Sequence, residues 1–392
     1  MTAQEQPPGL ALDWVTPDGR QLPTASVRRT MVQSLEDLWR RLVAQSEPHD
    51  RAREDALAPL NPETLGRIAG APSWGALARS LEQKLREWGR NAVDVVSWVV
   101  APPFSGAEQA LELLAHSGYR VIVPPTEEQI LAGDRHWLDQ FWEGDSPWVV
   151  PELSRCFLRC PEGLALLSEL IPQAMAGQLG PGVLGCQAWG WSFLQALFPQ
   201  LRPPVLTPQA LDAAVLARWL GALAADEQGP HSFYQTDTGQ PVLTWGRQDT
   251  SSFLRDLAAH ARGNAGVALA LWREALRDEP EDQDAAQQAR QSARALWVVP
   301  WTQLQAPVVA PERDRERDFV LHALITHGAL SWQGLVRTTG LSLDVLQLTV
   351  PTLLRRSVVA QEEDRFRIQV AVYPSVRRHL IDEGFAHDSV MN

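Results

Sequence analysis

The stretch Ala101–Glu108, read as APPFSGAE, has the spacing of a phosphate-binding loop, G-x-x-x-x-G-K-[ST]. In such a loop backbone N–H groups cradle phosphate, the lysine adds a cation, and the final hydroxyl holds a metal ion. Gly106 stands at the second glycine, preceded by Pro102, Pro103, Phe104 and Ser105. Ala101 replaces the first glycine, Ala107 the lysine and Glu108 the hydroxyl. The spacing therefore belongs to anion binding, while the cation and the metal ligand are missing. Glu108 also opens the helix expected after the loop. A carboxylate there complements the helix dipole but repels a phosphate. At about 5 Å and an effective dielectric near 20, one charge on each side costs roughly 3 kcal/mol.

No other catalytic constellation stands out. His116, His136, His231 and His260 are scattered, and no serine lies in a G-x-S-x-G turn. The three cysteines, Cys156, Cys160 and Cys186, do not suggest a disulfide framework. Cys156 and Cys160 can share a helix face, but no further ligands stand at metal-site spacing, so the thiols read as buried packing groups. No metal and no cofactor is expected.

The surrounding elements must place the loop. Ala92–Val100 is a β-branched run of the kind found in buried parallel strands. It leads through the loop into a helical pattern ended by Gly118, then into a second strand over 119–125. A third strand is predicted at Trp148–Val150, a helix over 162–177 carrying Pro172, a fourth strand running into a helix over 182–198, and a fifth over 202–208. This alternation predicts an α/β layer domain over 71–206. Residues 1–70 read as an N-terminal helical extension: an extended segment to about 22, then a helix over 24–45 with Val27, Met31, Leu35, Leu38 and Leu42 on one stripe. A further amphipathic helix is expected over 73–90.

From 207 to 312 the pattern is mainly helical, with a polar loop or hairpin over 231–245, a helix pair turning at Gly263–Asn264, and an acidic Gln-rich solvated helix or linker over 279–293. Residues 313–392 give helix, two short helices with Pro351 inside the second, hairpin and closing helix, the order of a winged helix.

Taken together, a P-loop-like α/β domain, a helical lid and a C-terminal winged helix resemble the AAA+ and STAND ATPases, especially their origin-recognition-like branch. Their loops commonly run G-P-P-G-[ST]-G-K-[ST], so Pro102, Pro103, Ser105 and Gly106 are kept. The resemblance implies a P-loop NTPase-like parallel sheet. On its motifs, Pro151 and Glu152 take the Walker B positions, and Cys186 and Gln187 the sensor position after the fourth strand. Gly263 and Asn264 match a lid motif whose arginine is replaced by Gly266. Lysine, metal hydroxyl, Walker B aspartate and lid arginine are thus all absent on this alignment. Phosphoryl transfer needs such groups to neutralise developing charge, so the resemblance implies a degenerate ATPase that does not hydrolyse.

The net charge of −12 disfavours non-specific attraction to DNA or anionic membranes. No run of about 18 apolar residues is present and the N-terminus does not read as a signal peptide, so a cytoplasmic protein without membrane insertion is expected. Most of the sixteen tryptophans are expected in the core, but their number also raises the expectation of a protein partner or homo-oligomer. From Asp314 to Phe385 nine basic residues balance nine acidic ones, and the wing turn is Glu362-Glu363-Asp364. DNA contact stays open through Arg355, Arg356, Arg365, Arg367, Arg377 and Arg378. The sequence therefore favours a non-hydrolysing regulatory or scaffold protein acting through protein contacts. The alternatives are an origin-recognition-like DNA-binding protein and an ATPase with an unusual nucleotide mode.

Overall fold

The computed structural model describes residues 9–25, 59–89, 96–225, 231–236, 239–243, 250–277, 295–304, 309, 314–386 and 388. The predicted helix over 24–45 beyond Ala25, the start of the first predicted strand before Val96, and the acidic linker over 279–293 lie outside the described residues. The chain divides into two compact units, one of residues 1–10, 21–73 and 210–306, the other of 11–20, 74–209 and 307–392. The second unit holds both the α/β layer and the winged helix.

Its six-stranded sheet runs β1 (Trp14–Val15), β6 (Val205–Pro208), β2 (Val96–Ala101), β5 (Gly182–Gln187), β4 (Trp148–Val150), β3 (Arg120–Val121). All pairings are parallel except β1 with β6. The inner strands β2 and β5 are mostly apolar, and every residue but Ser97 is buried, because both faces are covered. Trp14 and Val15, which the sequence reading leaves in the N-terminal extension, instead close the sheet edge. The reason is burial: Trp14 is 3% exposed, and its indole N–H donates to Ser80 Oγ at 3.1 Å in α1 (Gly75–Gly89).

Strand β2 feeds α2 (Ala107–Glu112), and the chain crosses to the far edge at β3. α3 (Glu127–Ala132) and α4 (Ala165–Met175) follow, the latter continuous through Pro172. After β5 the chain enters α5 (Ala188–Leu197) and crosses the other way, to β6 beyond β2. The two crossovers leave the adjacent strands β2 and β5 in opposite directions, and Ala101 pairs with Gln187 at their C-terminal ends. That point is where open α/β sheets form a ligand crevice, and APPFSGAE begins there.

The first unit contains α6 (Ala213–Leu223), the hairpin β7 (Ser232–Gln235) and β8 (Pro241–Leu243), α7 (Ser252–His260), α8 (Ala265–Ala275), β9 (Leu276–Arg277) and β10 (Ala295–Val298). Its helices thus accompany a four-stranded sheet, ordered β8-β7-β10-β9. Trp272 is fully buried, with its ring 4.9 Å from Phe233 and 6.0 Å from Phe253. Tryptophan is mostly core throughout: among the described residues only Trp142 is classed as exposed, at 52%. The abundance of tryptophan therefore gives no support of its own to a partner surface among the described residues.

In the second unit, α9 (Arg315–His327), β11 (Ala329–Leu330), α10 (Trp332–Thr339), α11 (Leu343–Arg355), β12 (Val359–Glu362) and β13 (Arg365–Ile368) form a winged helix with sheet order β11-β13-β12. α12 (Tyr373–Asp382) closes it. The serine caps Ser331 and Ser342 accept from Gly334 and Val345 N–H, which fixes the starts of α10 and α11. The overall class is therefore α/β with a parallel sheet, followed by helical and winged-helix parts. Among the described residues no helix is long and apolar enough to cross a membrane.

Candidate functional site

The loop after β2 begins as a tight turn. Ser105 N–H donates to Pro102 O at 3.3 Å, with Pro103 and Phe104 at the corners. Phe104 has φ +65°, a value that in turns of this kind normally requires glycine. Its ring packs edge-on against Tyr373 of α12, with centroids 5.6 Å apart and planes at 78°. The aromatic contact thus accompanies a backbone cost of roughly 1–2 kcal/mol. Gly106 has φ +85°, and a Cβ there would meet the Trp74 ring at 2.3 Å. Indole packed this close to the loop needs a glycine for two reasons, conformation and space. Ala101 and Ala107 are buried, and Ser105 is 6% exposed.

Glu108, in the first turn of α2, forms an ion pair with Arg155 at 2.7 Å. Burial first, and the nearby Glu152 carboxylate second, push its carboxyl up to about 7, against the pull of Arg155. Glu152 closes the end of β4. Its Oε1 accepts from Ser154 N–H at 2.9 Å and from Gln187 N–H at 3.0 Å. Burial raises its pKa, and these hydrogen bonds oppose the rise. Pro151 beside it is buried and offers no carboxylate. Gln187 is 7% exposed, and its amide donates to Ser154 Oγ at 3.1 Å and Thr326 O at 2.6 Å. Cys186 Sγ contacts Gln187 O at 3.4 Å, and burial raises its thiol well above the ordinary range. Walker B-like and sensor-like positions are therefore occupied by internal hydrogen bonding.

A cavity of about 340 Å³ lies beside these groups. One wall is the loop with Glu108, Glu152, Arg155 and Gln187. The other is the winged helix, through Leu324, His327, Gly328, Glu362, Arg367 and Ile368. Both cations are already paired, Arg155 with Glu108 and Arg367 with Glu362. Among the described residues no group of His, Cys, Asp or Glu could hold a metal ion.

Two histidines on α9 fasten the winged helix over this wall. His327 Nε2 accepts from Arg159 N–H at 3.3 Å, so its Nδ1 carries the proton donated to Ser154 O at 3.2 Å. Burial lowers its pKa to about 3, as an accepting nitrogen requires. His322 turns Nδ1 to the Arg159 guanidinium and donates from Nε2 to Ala386 O at 3.2 Å. Burial and Arg159 hold it near 4. The Trp189 indole N–H reaches Tyr373 OH at 3.4 Å. None of Arg155, His322, His327 and Tyr373 carried a readable motif, because each acts through a long-range contact.

The remaining predicted positions have other settings. Gly263, Asn264 and Gly266 lie in the first unit. There Gly263 has φ +67° against Ala210, and Asn264 caps α8 by accepting from Val267 N–H at 3.2 Å. Of the six arginines, Arg377 is 8% exposed and forks onto Asp388 at 2.9–3.0 Å, which corrects its assignment to an external contact. Arg365 pairs with Glu127 at 3.2 Å, and Arg367 with Glu362. Arg355, Arg356 and Arg378 are exposed. The outward side of α11 carries Asp344, Gln347, Leu348 and Pro351, with Leu348 76% exposed.

The sequence matches no family model and no curated protein. Among solved structures it aligns with Cdc6p from Pyrobaculum aerophilum at 12% identity and a TM-score of 0.30, over 83% of this chain and 99% of that one. It also aligns with a chain in a structure of Drosophila ORC bound to DNA, at 11% identity and a TM-score of 0.34, over 88% of this chain and 99% of that one. The strand order and the helix–strand arrangement of the C-terminal part, rather than these alignments, carry the description of the fold.

Proposed function

We propose that this chain is a non-hydrolysing relative of the AAA+ and STAND ATPases that serves as a regulatory or scaffold protein through protein contacts. The observation that carries the reading is the pairing of Glu108 with Arg155 inside the cavity at the crevice. The lysine position holds Ala107, the metal-holding hydroxyl is replaced by the Glu108 carboxylate, and the neighbouring Arg155 is already paired. Phe104 and the winged-helix wall support the same reading, since they fill the approach to the loop with protein. Phosphoryl transfer would need a metal or a free cation at this point. The partner would be another protein or a second copy of the chain, and no nucleotide or metal is required.

Calorimetric titration with Mg-ATP tests the proposal. No heat beyond dilution at up to millimolar nucleotide is expected, and saturable micromolar binding would overturn it in favour of an ATPase with an unusual mode. A DNA-binding reading draws support from the exposed Arg378 and from Arg355 and Arg356 at the end of α11. It requires duplex binding that survives physiological salt and is lost in Arg355→Glu/Arg356→Glu.

A further inference from the structure

The N-cap of α10 already holds an anion. Glu127, the first residue of α3 and 5% exposed, does not point into its own helix start; its carboxylate sits over the N-terminus of α10. Oε1 accepts from Ser331 N–H at 3.1 Å and from Arg365 at 3.2 Å, and Oε2 accepts from the Ser331 hydroxyl. Arg365 also reaches Ala329 O at 3.5 Å. Gly334 makes the close approach possible, because a Cβ there would stand 2.8 Å from Oε2. The donors come from two separate elements, the helix start and strand β13. One backbone N–H, one hydroxyl and one guanidinium converging on two oxygens is oxyanion chemistry. α10 is also the first helix of the helix-turn-helix, the element that crosses the nucleic-acid backbone when such motifs dock.

We propose that Ser331, Gly334 and Arg365 form a phosphate-type oxyanion site of the winged helix, and that Glu127 is its built-in occupant. The carboxylate stands where a phosphate oxygen pair would lie, so the site is closed to outside phosphate while Glu127 is in place. This explains why a surface Arg and a helix start that could position nucleic acid are turned onto the α/β layer. It stands apart from the reading of the loop: nucleotide binding at Glu108 would leave it untouched.

The test removes the occupant from the full-length protein. The melting temperature of Glu127→Ala is measured in chloride, acetate and inorganic phosphate at equal ionic strength. A saturable rise of roughly 2–4 °C is expected at a phosphate concentration about five times the dissociation constant. The wild type should not respond, and Glu127→Ala/Arg365→Gln should lose the response at least about tenfold in anion concentration. If Glu127→Ala does not fold, Glu127→Ser, which also empties the site, carries the same expectation. Equal responses of wild type and variant, or a double variant that responds like the single one, would overturn the proposal. A 20-base-pair duplex then separates the sources. Arg365-dependent duplex binding by the variant assigns the site to nucleic-acid phosphate, and a response to inorganic phosphate alone assigns it to a small anion.

Discussion

Phe104 gives the sharpest check on the loop. Its backbone is left-handed and its ring is held by Tyr373. Two substitutions separate the terms. Phe104→Ala removes the ring and keeps a Cβ at φ +65°. Phe104→Gly removes the ring and the strain together. Losing the edge-on aromatic pair and part of the ring's burial costs about 2 kcal/mol in either case. A left-handed non-glycine residue costs roughly 1–2 kcal/mol, while glycine gives back about 0.5–1 kcal/mol through the unfolded chain. Phe104→Gly should therefore be the more stable variant by about 0.5–1 kcal/mol, the reverse of the usual order of alanine over glycine. Urea unfolding of both variants measures this. A double-mutant cycle with Tyr373→Leu should return a coupling of about 0.5–1.5 kcal/mol. An alanine variant at least as stable as the glycine variant, or a coupling below about 0.3 kcal/mol, would refute the claim that a strained loop is held by the winged helix.

Three further outcomes are expected. The Glu108 carboxyl is raised to about 7 from an ordinary value near 4.5, so its ionisation opposes folding. Stability relative to Glu108→Gln should fall as pH rises from about 5 to 8, by up to roughly 2–3 kcal/mol, read by denaturant unfolding at each pH. His322 and His327 are lowered to about 4 and about 3 from 6.5, so the unfolded chain takes up protons first as pH falls. The stability they hold is complete above about 6.5 and should be lost progressively below it, and His327→Gln should flatten that loss in an acid titration followed by Trp fluorescence. Finally, the combined substitution Ala101→Gly/Phe104→Gly/Ala107→Lys/Glu108→Thr should gain measurable Mg-ATP binding by calorimetry if the loop has a phosphate-binding course; a folded variant without binding would count against that course.

The sequence made the α/β layer legible because periodicity and turn residues are local. The apolar run ending at Ala101, Gly118 at a left-handed cap and the strand–helix junction at Gln187–Ala188 all follow from residues within a few positions. The order of elements exposed the winged helix in the same way. Strand β1 was not readable, since Trp14 and Val15 form a strand only against Pro208 and Thr207, almost two hundred residues away. The site was half legible. Glu108 was identifiable as a misplaced carboxylate from spacing alone. Its partner Arg155 was not, because a lone arginine after a strand carries no periodic signal. Nor could composition reveal that Arg365 and Arg377 face Glu127 and Asp388, since a charge count of zero fits equally well with solvated arginines and with internal pairs.

The charge at the loop and the docking of the winged helix constrain each other. A working phosphate loop must admit a hydrated anion and its metal, so the crevice at β2 and β5 has to stay open to water. Here Gln187 donates to Thr326 O and Ser154 O accepts from His327, which ties the tips of β4 and β5 to α9. Such ties hold only with neutral histidines, because His327 Nε2 must accept from Arg159 N–H. Below about pH 6.5 the histidines penalise the docked state, and the raised Glu108 carboxyl penalises it increasingly from about pH 4.5 to about 7. Two histidines outweigh one carboxylate on the acid side, so the docked unit should be most stable near about pH 6.5. A cation at Ala107 would compete with Arg155 for Glu108, and a glycine at Phe104 would give up the contact to Tyr373. Restoring nucleotide chemistry therefore requires loosening the contacts that hold the winged helix in place, and keeping them leaves the loop a structural joint.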